Sequence, residues 1–212
     1  MPEFNIQVVP VTPFQQNCSL AWSAATKRGV VVDPGGDVPT IQAAIAAAGI
    51  TVEFILLTHG HIDHAGGAAE LKEALGVEIL GPHEGDRPLL ERLELQGRTY
   101  GLSGIRNVLP DRFLAEGEAL EIAGVPFEIL HCPGHSPGSL VYVAPSLRFA
   151  FMGDVLFQGS VGRTDLPGGS HDQLIGSIRT KILPLGDDVS FLPGHGPGST
   201  VGQERETNPF LV

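Results

Sequence analysis

The chain has little of several things, and each shortage narrows what it can be. Cysteine occurs only twice, at Cys18 and Cys132, far apart and in no Cys-x-x-Cys pair. That argues against a disulfide framework and makes a reducing cytoplasm the expected setting. Basic residues are scarce: 13 Lys and Arg stand against 24 Asp and Glu, a formal net charge of -11. A nucleic-acid backbone, which demands compensating cations, is therefore not an expected partner. No run of 18 apolar residues occurs, so no membrane span is expected. The start, Met1-Pro2-Glu3-Phe4, has neither the basic residues nor the apolar stretch of a secretory leader. Two nucleotide and nucleophile signatures are missing as well. No Gly-x-Gly-x-x-Gly opens a helix after a strand, and no Gly-x-Ser-x-Gly elbow is present.

What is there describes an ordinary globular chain. It has 212 residues, 42% apolar and 17% charged, enough to bury a sizeable core in one domain spanning 1–212. The 28 glycines and 17 prolines gather at junctions such as Pro34-Gly35-Gly36, Pro133-Gly134 and Pro193-Gly194. Taken singly these are turns; as a set flanking histidines and aspartates they suggest loops shaped around a site. Strands are expected at Asn5–Val11, Ser19–Ser23, Gly29–Asp33 and Val52–Leu57. Further strands are expected at Val77–Leu80, Ala119–Ile122, Val125–Leu130, Leu140–Ala144, Arg148–Met152 and Val189–Leu192. Helical spacing covers Val38–Ala48, Gly67–Leu75, Glu84–Gln96, His171–Leu183 and Val201–Thr207, with Ser170 and Gln173 at capping-box spacing. The strand-then-helix order of both halves hints at an internal duplication, and suggests sheets packed face to face with helices outside.

The chemistry concentrates in Thr58-His59-Gly60-His61-Ile62-Asp63-His64, directly after the apolar run Phe54-Ile55-Leu56-Leu57. His59, His61, Asp63 and His64 all carry metal-binding atoms, at a strand end where the chain enters a loop. Three other strands deliver His135, Asp154 and His195 in the same way. Strand ends hold ligand directions while the loops leave room for substrate. One catalytic ion takes three protein ligands and a water, so seven candidates suit two ions rather than one.

His59-Gly60-His61-Ile62-Asp63-His64 resembles the His-x-His-x-Asp-His signature of the metallo-β-lactamase superfamily. Gly134-His135-Ser136-Pro137-Gly138, Gly153-Asp154 and Gly194-His195-Gly196 fit its remaining ligand motifs in order. The likeness runs through nearly the whole chain, and is strongest to the compact form of the glyoxalase II (hydroxyacylglutathione hydrolase) branch. Pro10-Val11-Thr12-Pro13-Phe14-Gln15-Gln16-Asn17-Cys18 is typical of that group. The resemblance implies an α/β fold, an αββα sandwich of two mixed sheets with helices on the outer faces. It implies one ion on His59, His61 and His135, another on Asp63, His64 and His195, and Asp154 between them. It implies zinc first, with iron or manganese as alternatives. The activity implied is cleavage of an acyl-thioester such as S-D-lactoylglutathione, with metal-activated water as nucleophile and Asp63 as a proton acceptor. Asp154 stands where some β-lactamases have a metal-binding cysteine, which argues against that branch. The glutathione-gripping helical extension of longer glyoxalase II enzymes is not matched, because this sequence ends at Asn208-Pro209-Phe210-Leu211-Val212.

Other residues have competing readings. Asp33 in Val32-Asp33-Pro34-Gly35-Gly36 is by default an Asx turn; the family pattern makes it a support for the site loops. His83, His131 and His171 are read as structural, with His131 near enough to His135 in sequence to orient it. Cys132 is read as buried and inert. Arg163, in Gly162-Arg163-Thr164-Asp165, would hold a substrate carboxylate or pair with Asp165. That same loop and the set His59, His135 and Asp154 also resemble a mono-iron persulfide dioxygenase, the rival activity on this fold. A metal-binding domain without turnover is a third reading. Oligomeric state is not legible.

Overall fold

Strand β3 (Arg28–Val32) shows how this chain sorts its side chains. Val30 and Val32 join one apolar cluster, while Val31 between them joins another on the opposite face. Side chains alternate across a strand, so a strand apolar at every position needs cover on both faces. The computed structural model describes residues 3–212. Met1 and Pro2, part of the segment read for a leader, lie outside the described residues.

The first half supplies β1 (Phe4–Val11), β2 (Gln16–Ser23), β3, helix α1 (Val38–Ala48) and β4 (Thr51–Leu56). It continues with α2 (Ile62–Ala65), α3 (Ala68–Leu75), β5 (Glu78–Leu80), α4 (Arg87–Leu90) and α5 (Leu93–Tyr100). Its five strands form one sheet in chain order. The pairs β1–β2 and β2–β3 are antiparallel; β3–β4 and β4–β5 are parallel, with α1 and α3 as the crossovers. The second half supplies β6 (Ala119–Ile122), β7 (Val125–His131), β8 (Leu140–Ala144) and β9 (Phe149–Gly153). Then come the short hairpin β10 (Leu156–Phe157) and β11 (Ser160–Val161), α6 (His171–Ser177), β12 (Ser190–Pro193), β13 (Ser199–Thr200) and α7 (Val201–Thr207). The second sheet runs β13-β12-β9-β8-β7-β6.

Three apolar clusters give the layering. The middle one joins Val30, Val32 and Leu56 of the first sheet to Phe127, Tyr142 and Phe151 of the second. The outer face of the first sheet, with Leu20 and Ile55, is covered by Ile41, Ile45 and Leu71 of α1 and α3. The outer face of the second, with Val141 and Met152, is covered by Leu174 of α6 and Val201 of α7. The order helix, sheet, sheet, helix is the αββα sandwich expected from the resemblance. Tyr142 reaches across the middle layer, and its hydroxyl donates to the Leu57 carbonyl at 2.7 Å. No helix of the described residues is long and apolar enough to cross a membrane.

Several expectations are corrected. The single helix over Glu84–Gln96 is broken into a 3-10 turn, α4 and α5, the last reaching Tyr100. Arg92 leaves helical geometry at φ -122°, because the Leu90 carbonyl takes the Val108 N–H and Asn107 Oδ1 takes the Glu94 N–H. The regular part of the helix expected to reach Leu183 stops at Ser177 and widens into a π-helical turn over Ile178–Ile182. Only half of the capping box forms. Ser170 Oγ accepts from the Gln173 N–H, but the Ser170 N–H donates to the Gly134 carbonyl instead. That bond ties the start of α6 to the His135 loop. Strand β2 begins at Gln16, ahead of the expected Ser19, because Gln16 and Asn17 already pair with Val11 and Pro10.

Candidate metal centre

Every strand that carries a candidate ligand ends at one edge of the sandwich. β4 leads through Leu57 and Thr58 to His59 and His61, and the short turn α2 then presents Asp63 and His64. β7 leads to His135, β9 to Asp154 and β12 to His195. All seven converge. His61 Nδ1 and His59 Nε2 lie 2.9 and 3.1 Å from His135 Nε2. His195 Nε2 lies 3.0 Å from Asp63 Oδ2. Asp154 sits between the two groups, 3.3 Å from His64 Nε2, 3.6 Å from His135 Nε2 and 3.7 Å from His195 Nε2. Gly194 makes the approach of β12 possible, since a Cβ there would collide with Asp154 Oδ1 and the His64 ring.

The far nitrogens of these rings decide what the near ones can do. His135 Nδ1 faces the Arg163 carbonyl at 2.8 Å, and His195 Nδ1 faces the Phe14 carbonyl at 3.2 Å. A carbonyl only accepts, so both Nδ1 atoms carry a proton, which leaves each Nε2 as the nitrogen that faces the ligand cluster. Thr58 Oγ1 donates to Asp33 Oδ2 at 2.6 Å, so it accepts from His59 Nδ1 at 3.0 Å. His64 Nδ1 faces Asp33 Oδ2 at 2.9 Å. The result is a set of lone pairs aimed at one another with no proton between His59 Nε2 and His135 Nε2. His64 Nε2 and Asp154 Oδ1 are both buried without a hydrogen-bond partner among the described residues. Facing acceptors in a buried pocket repel unless a cation lies among them, so the donor set fits metal ions. Three groupings have ligand atoms within 4.8 Å of one another: His59, His61 and His135; His59, His64 and Asp154; and Asp63, His64 and His195.

Charge divides the centre in two. Burial, then the neighbouring imidazoles, hold His59 well below the ordinary histidine value. Burial and then His135 take His61 down to about 3, against the pull of Asp63 and Asp154. On the other side burial also opposes the charged imidazole, but Asp154, Asp63 and Asp33 outweigh it and raise His64 well above its ordinary value. For His195, burial is outweighed by its bond to Asp63 and the charge of Asp154. Asp154 is held below the usual carboxylate range: burial works the other way and loses to His64, His135 and His195. One end is thus an all-imidazole set in which His59 and His61 stay neutral. The other is a mixed imidazole and carboxylate set that attracts positive charge. The fold-implied pair of divalent ions suits both ends.

Supporting residues enter from unexpected places. Asp33 is buried, and besides Thr58 Oγ1 and His64 it accepts the Thr58 N–H at 2.7 Å, so it holds the root of the histidine loop. Asn17 Nδ2 donates to the Pro193 and Gly196 carbonyls at 3.0 and 2.8 Å, clamping the turn that carries His195. Asp86 is fully buried and was hidden inside the helix expected over Glu84–Gln96. Its carboxylate accepts from the Gly60 N–H, Ser136 Oγ and the Gly138 N–H at 2.7, 2.8 and 2.6 Å.

The remaining candidates stay outside the cluster. Arg163 lines the cleft, but its guanidinium pairs with Asp165 through two bonds of 2.8 Å. His131 does not touch His135; its Nε2 donates to the Pro137 carbonyl at 2.8 Å while its ring stacks on His83. His171 is exposed at the start of α6. Cys132 is buried, and burial pushes its thiol up to about 12.

The centre opens into a cleft of about 560 Å³ reached past Phe14, Tyr100, Phe157 and Arg163. A second cavity of about 460 Å³ adjoins it at His61, Gln96, Tyr100 and Leu166, with Pro88, Leu89 and Leu95 on its walls.

Comparison with known proteins gives a consistent picture. The model of the family described as the metallo-beta-lactamase superfamily matches residues 11–195. A Haemophilus influenzae protein named hydroxyacylglutathione hydrolase GloC is 50% identical over 208 residues, covering 98% of each chain. The solved structure of TTHA1623 in a di-iron-bound form superposes with a TM-score of 0.87 at 41% identity, over 97% of this chain and all (100%) of that one. The structure of the BLEG-1 B3 metallo-beta-lactamase superposes with a TM-score of 0.89 at 38% identity, over 98% of this chain and 99% of that one.

Proposed function

The chain belongs to the metallo-β-lactamase superfamily, and from that membership we propose that it is a two-metal hydrolase of acyl-thioesters of the S-D-lactoylglutathione type. One observation carries the reading. Imidazole nitrogens and carboxylate oxygens converge at the floor of an open cleft, with His64 Nε2 and Asp154 Oδ1 buried there without hydrogen-bond partners among the described residues. The 50% identical hydroxyacylglutathione hydrolase, matched end to end, supports a thioester over other acyl bonds.

In this reading His59, His61 and His135 hold one ion, Asp63, His64 and His195 hold the other, and Asp154 serves both. Bound metal supplies Lewis acidity, making water a nucleophile near neutral pH and drawing charge from the thioester carbonyl. The protein does the rest. Asp33, Thr58 and the Phe14 and Arg163 carbonyls fix the imidazole tautomers, so the ligand directions are set before substrate arrives. Asp63, bonded to His195 through Oδ2, takes the proton of the attacking water on its carboxylate. Phe14 and Tyr100, in edge-to-face contact at 5.7 Å, narrow the mouth of the cleft against bulk water. A thioester has two arms; with its carbonyl at the metals, the cleft beside Arg163 takes one and the cavity beside Leu89 the other. Arg163 binds a substrate carboxylate by exchanging it for Asp165. Zinc is the expected metal, with iron and manganese compatible with the same donors. The setting is the cytoplasm, in keeping with two buried free thiols.

The test is an assay of metal-loaded protein on three substrates: S-D-lactoylglutathione, glutathione persulfide with oxygen uptake, and a chromogenic β-lactam. Thioester cleavage should exceed the others by at least a hundredfold in kcat/KM. Oxygen uptake with persulfide alone would favour the mono-iron dioxygenase reading on His59, His135 and Asp154. Lactam cleavage alone would place the chain with BLEG-1 in activity as well as fold.

A further inference from the structure

Asp86 bridges the two loops that carry His59, His61 and His135. Its Oδ2 accepts from the Gly60 N–H, between His59 and His61, and from Ser136 Oγ, next to His135. Its Oδ1 accepts from the Gly138 N–H, three residues past His135. These bonds span 2.6–2.8 Å with the carboxylate fully buried, the geometry of strong charge-assisted hydrogen bonds. The backbone is fitted just as closely. A Cβ on Gly138 would lie 2.6 Å from both Asp86 Cγ and Asp86 N, and one on Gly60 would lie 3.1 Å from Asp86 Cβ. The three imidazoles between these anchors are His59, His61 and His135, the all-nitrogen grouping. Asp63, His64 and His195 make no hydrogen bond to Asp86; His64 is held through Asp33, His195 through Asn17 and Phe14, and Asp63 through His195. Asp33 reaches both groupings, His64 directly and His59 through Thr58 Oγ1, whereas Asp86 bonds only the loops that carry the all-nitrogen grouping.

We infer that Asp86 is the positioning residue for one metal alone: it holds the Gly60 and Ser136–Gly138 loops at the separation that lets His59, His61 and His135 share an ion. This rests on the reading that two ions occupy the centre. Asp86 touches no reacting atom and acts only through the loops. All its neighbours are donors, so both oxygens must accept. An asparagine keeps the volume but turns one oxygen into a donor, which then faces the Gly138 N–H or the Gly60 N–H and Ser136. The grouping spreads, and its ion weakens while the other stays.

The test is titration of the full-length apo-protein with Co2+, followed by visible absorption, and with Zn2+, followed by metal analysis. Wild type should bind two ions; a wild type that binds none would defeat the two-metal reading and this inference with it, whereas the Asp86→Asn outcomes bear on Asp86 alone. Asp86→Asn should bind one ion with wild-type affinity and the other at least tenfold more weakly, with kcat down at least tenfold and KM within twofold. Combining it with His61→Ala should weaken the remaining ion no further than His61→Ala alone. Loss of both ions to the same degree, or wild-type affinity for both, overturns the inference. If Asp86→Asn does not fold, Ser136→Ala removes one of the three bonds alone. It should weaken the same single ion by about threefold to tenfold, and equal effects on both ions would again overturn it.

Discussion

At the residue scale, the site is built from tautomers as much as from positions. His59, His64, His135 and His195 each have one nitrogen fixed by an acceptor, which leaves the other to face the candidate metal centre. His61→Ala should lose metal and activity while keeping the fold, seen as metal content near half of wild type with an unchanged circular-dichroism spectrum. Asn17→Ala should leave the His195 turn loose, and lower kcat/KM about tenfold with little change in melting temperature. The thiol of Cys132 makes a separate pH prediction. Its folded value near 12 lies above the unfolded value of about 8.5, so its stabilising contribution is complete below about 8.5 and disappears as pH rises toward 12. At pH 8 it should resist alkylation in the native state and react only after denaturation. The histidine motif was legible in sequence because its candidate ligands His59, His61, Asp63 and His64 fall within six residues. Asp86 and Asn17 were not, because their partners Gly60, Ser136, Gly138, Pro193 and Gly196 lie 26 to 179 positions away and are mostly backbone groups. Nothing in a side-chain pattern announces a carboxylate that binds N–H groups.

At the scale of elements, alternation made the strands readable and capping made the helices readable only in part. β3, β8 and β9 send every second side chain to the opposite cluster, which is what their unbroken apolar runs implied. Ser170 marked the start of α6 correctly, but its N–H answers to Gly134 in another loop, so the box is half local and half tertiary. The stretch over 84–96 misled because its leucines do keep helical spacing on either side of the break at Arg92; only the distant Val108 and Asn107 impose that break. Two substitutions probe the elements. Tyr142→Phe leaves the Leu57 carbonyl without its buried donor and should cost about 1–3 kcal/mol, measured by denaturant unfolding. Gly134→Ala should be worse, with melting temperature falling by several degrees. Gly134 has φ 137°, and an added Cβ would drive into Leu174 at the first turn of α6.

At the scale of the molecule, two sheets bring four strand ends to one edge, and metal joins what the halves supply separately. His59, His61, Asp63 and His64 come from the first half, and His135, Asp154 and His195 from the second. Metal should therefore stabilise the whole sandwich, with a pH dependence set by the ligands. Without metal, His64 and His195 contribute stability that is complete below about 6.5 and lost as pH rises through their raised values. His59 and His61, held neutral, make the protein lose stability as pH falls below about 6.5. The chelated protein should thus be most stable near pH 6.5, and metal should abolish the decline on the alkaline side, as read from melting temperature against pH. The cavity beside Leu89 gives a prediction about shape. Leu89→Trp should cut kcat/KM for a bulky acyl-thioester such as benzoylglutathione at least tenfold, and leave acetylglutathione within threefold. The central claim is that two ions and these seven residues hydrolyse a thioester. Its most direct test is metal analysis and S-D-lactoylglutathione hydrolysis on one purified sample, before and after chelation and reloading. Two divalent ions per chain are expected, with activity that disappears on their removal and returns on reloading. Full activity in the chelated, metal-free protein would contradict it.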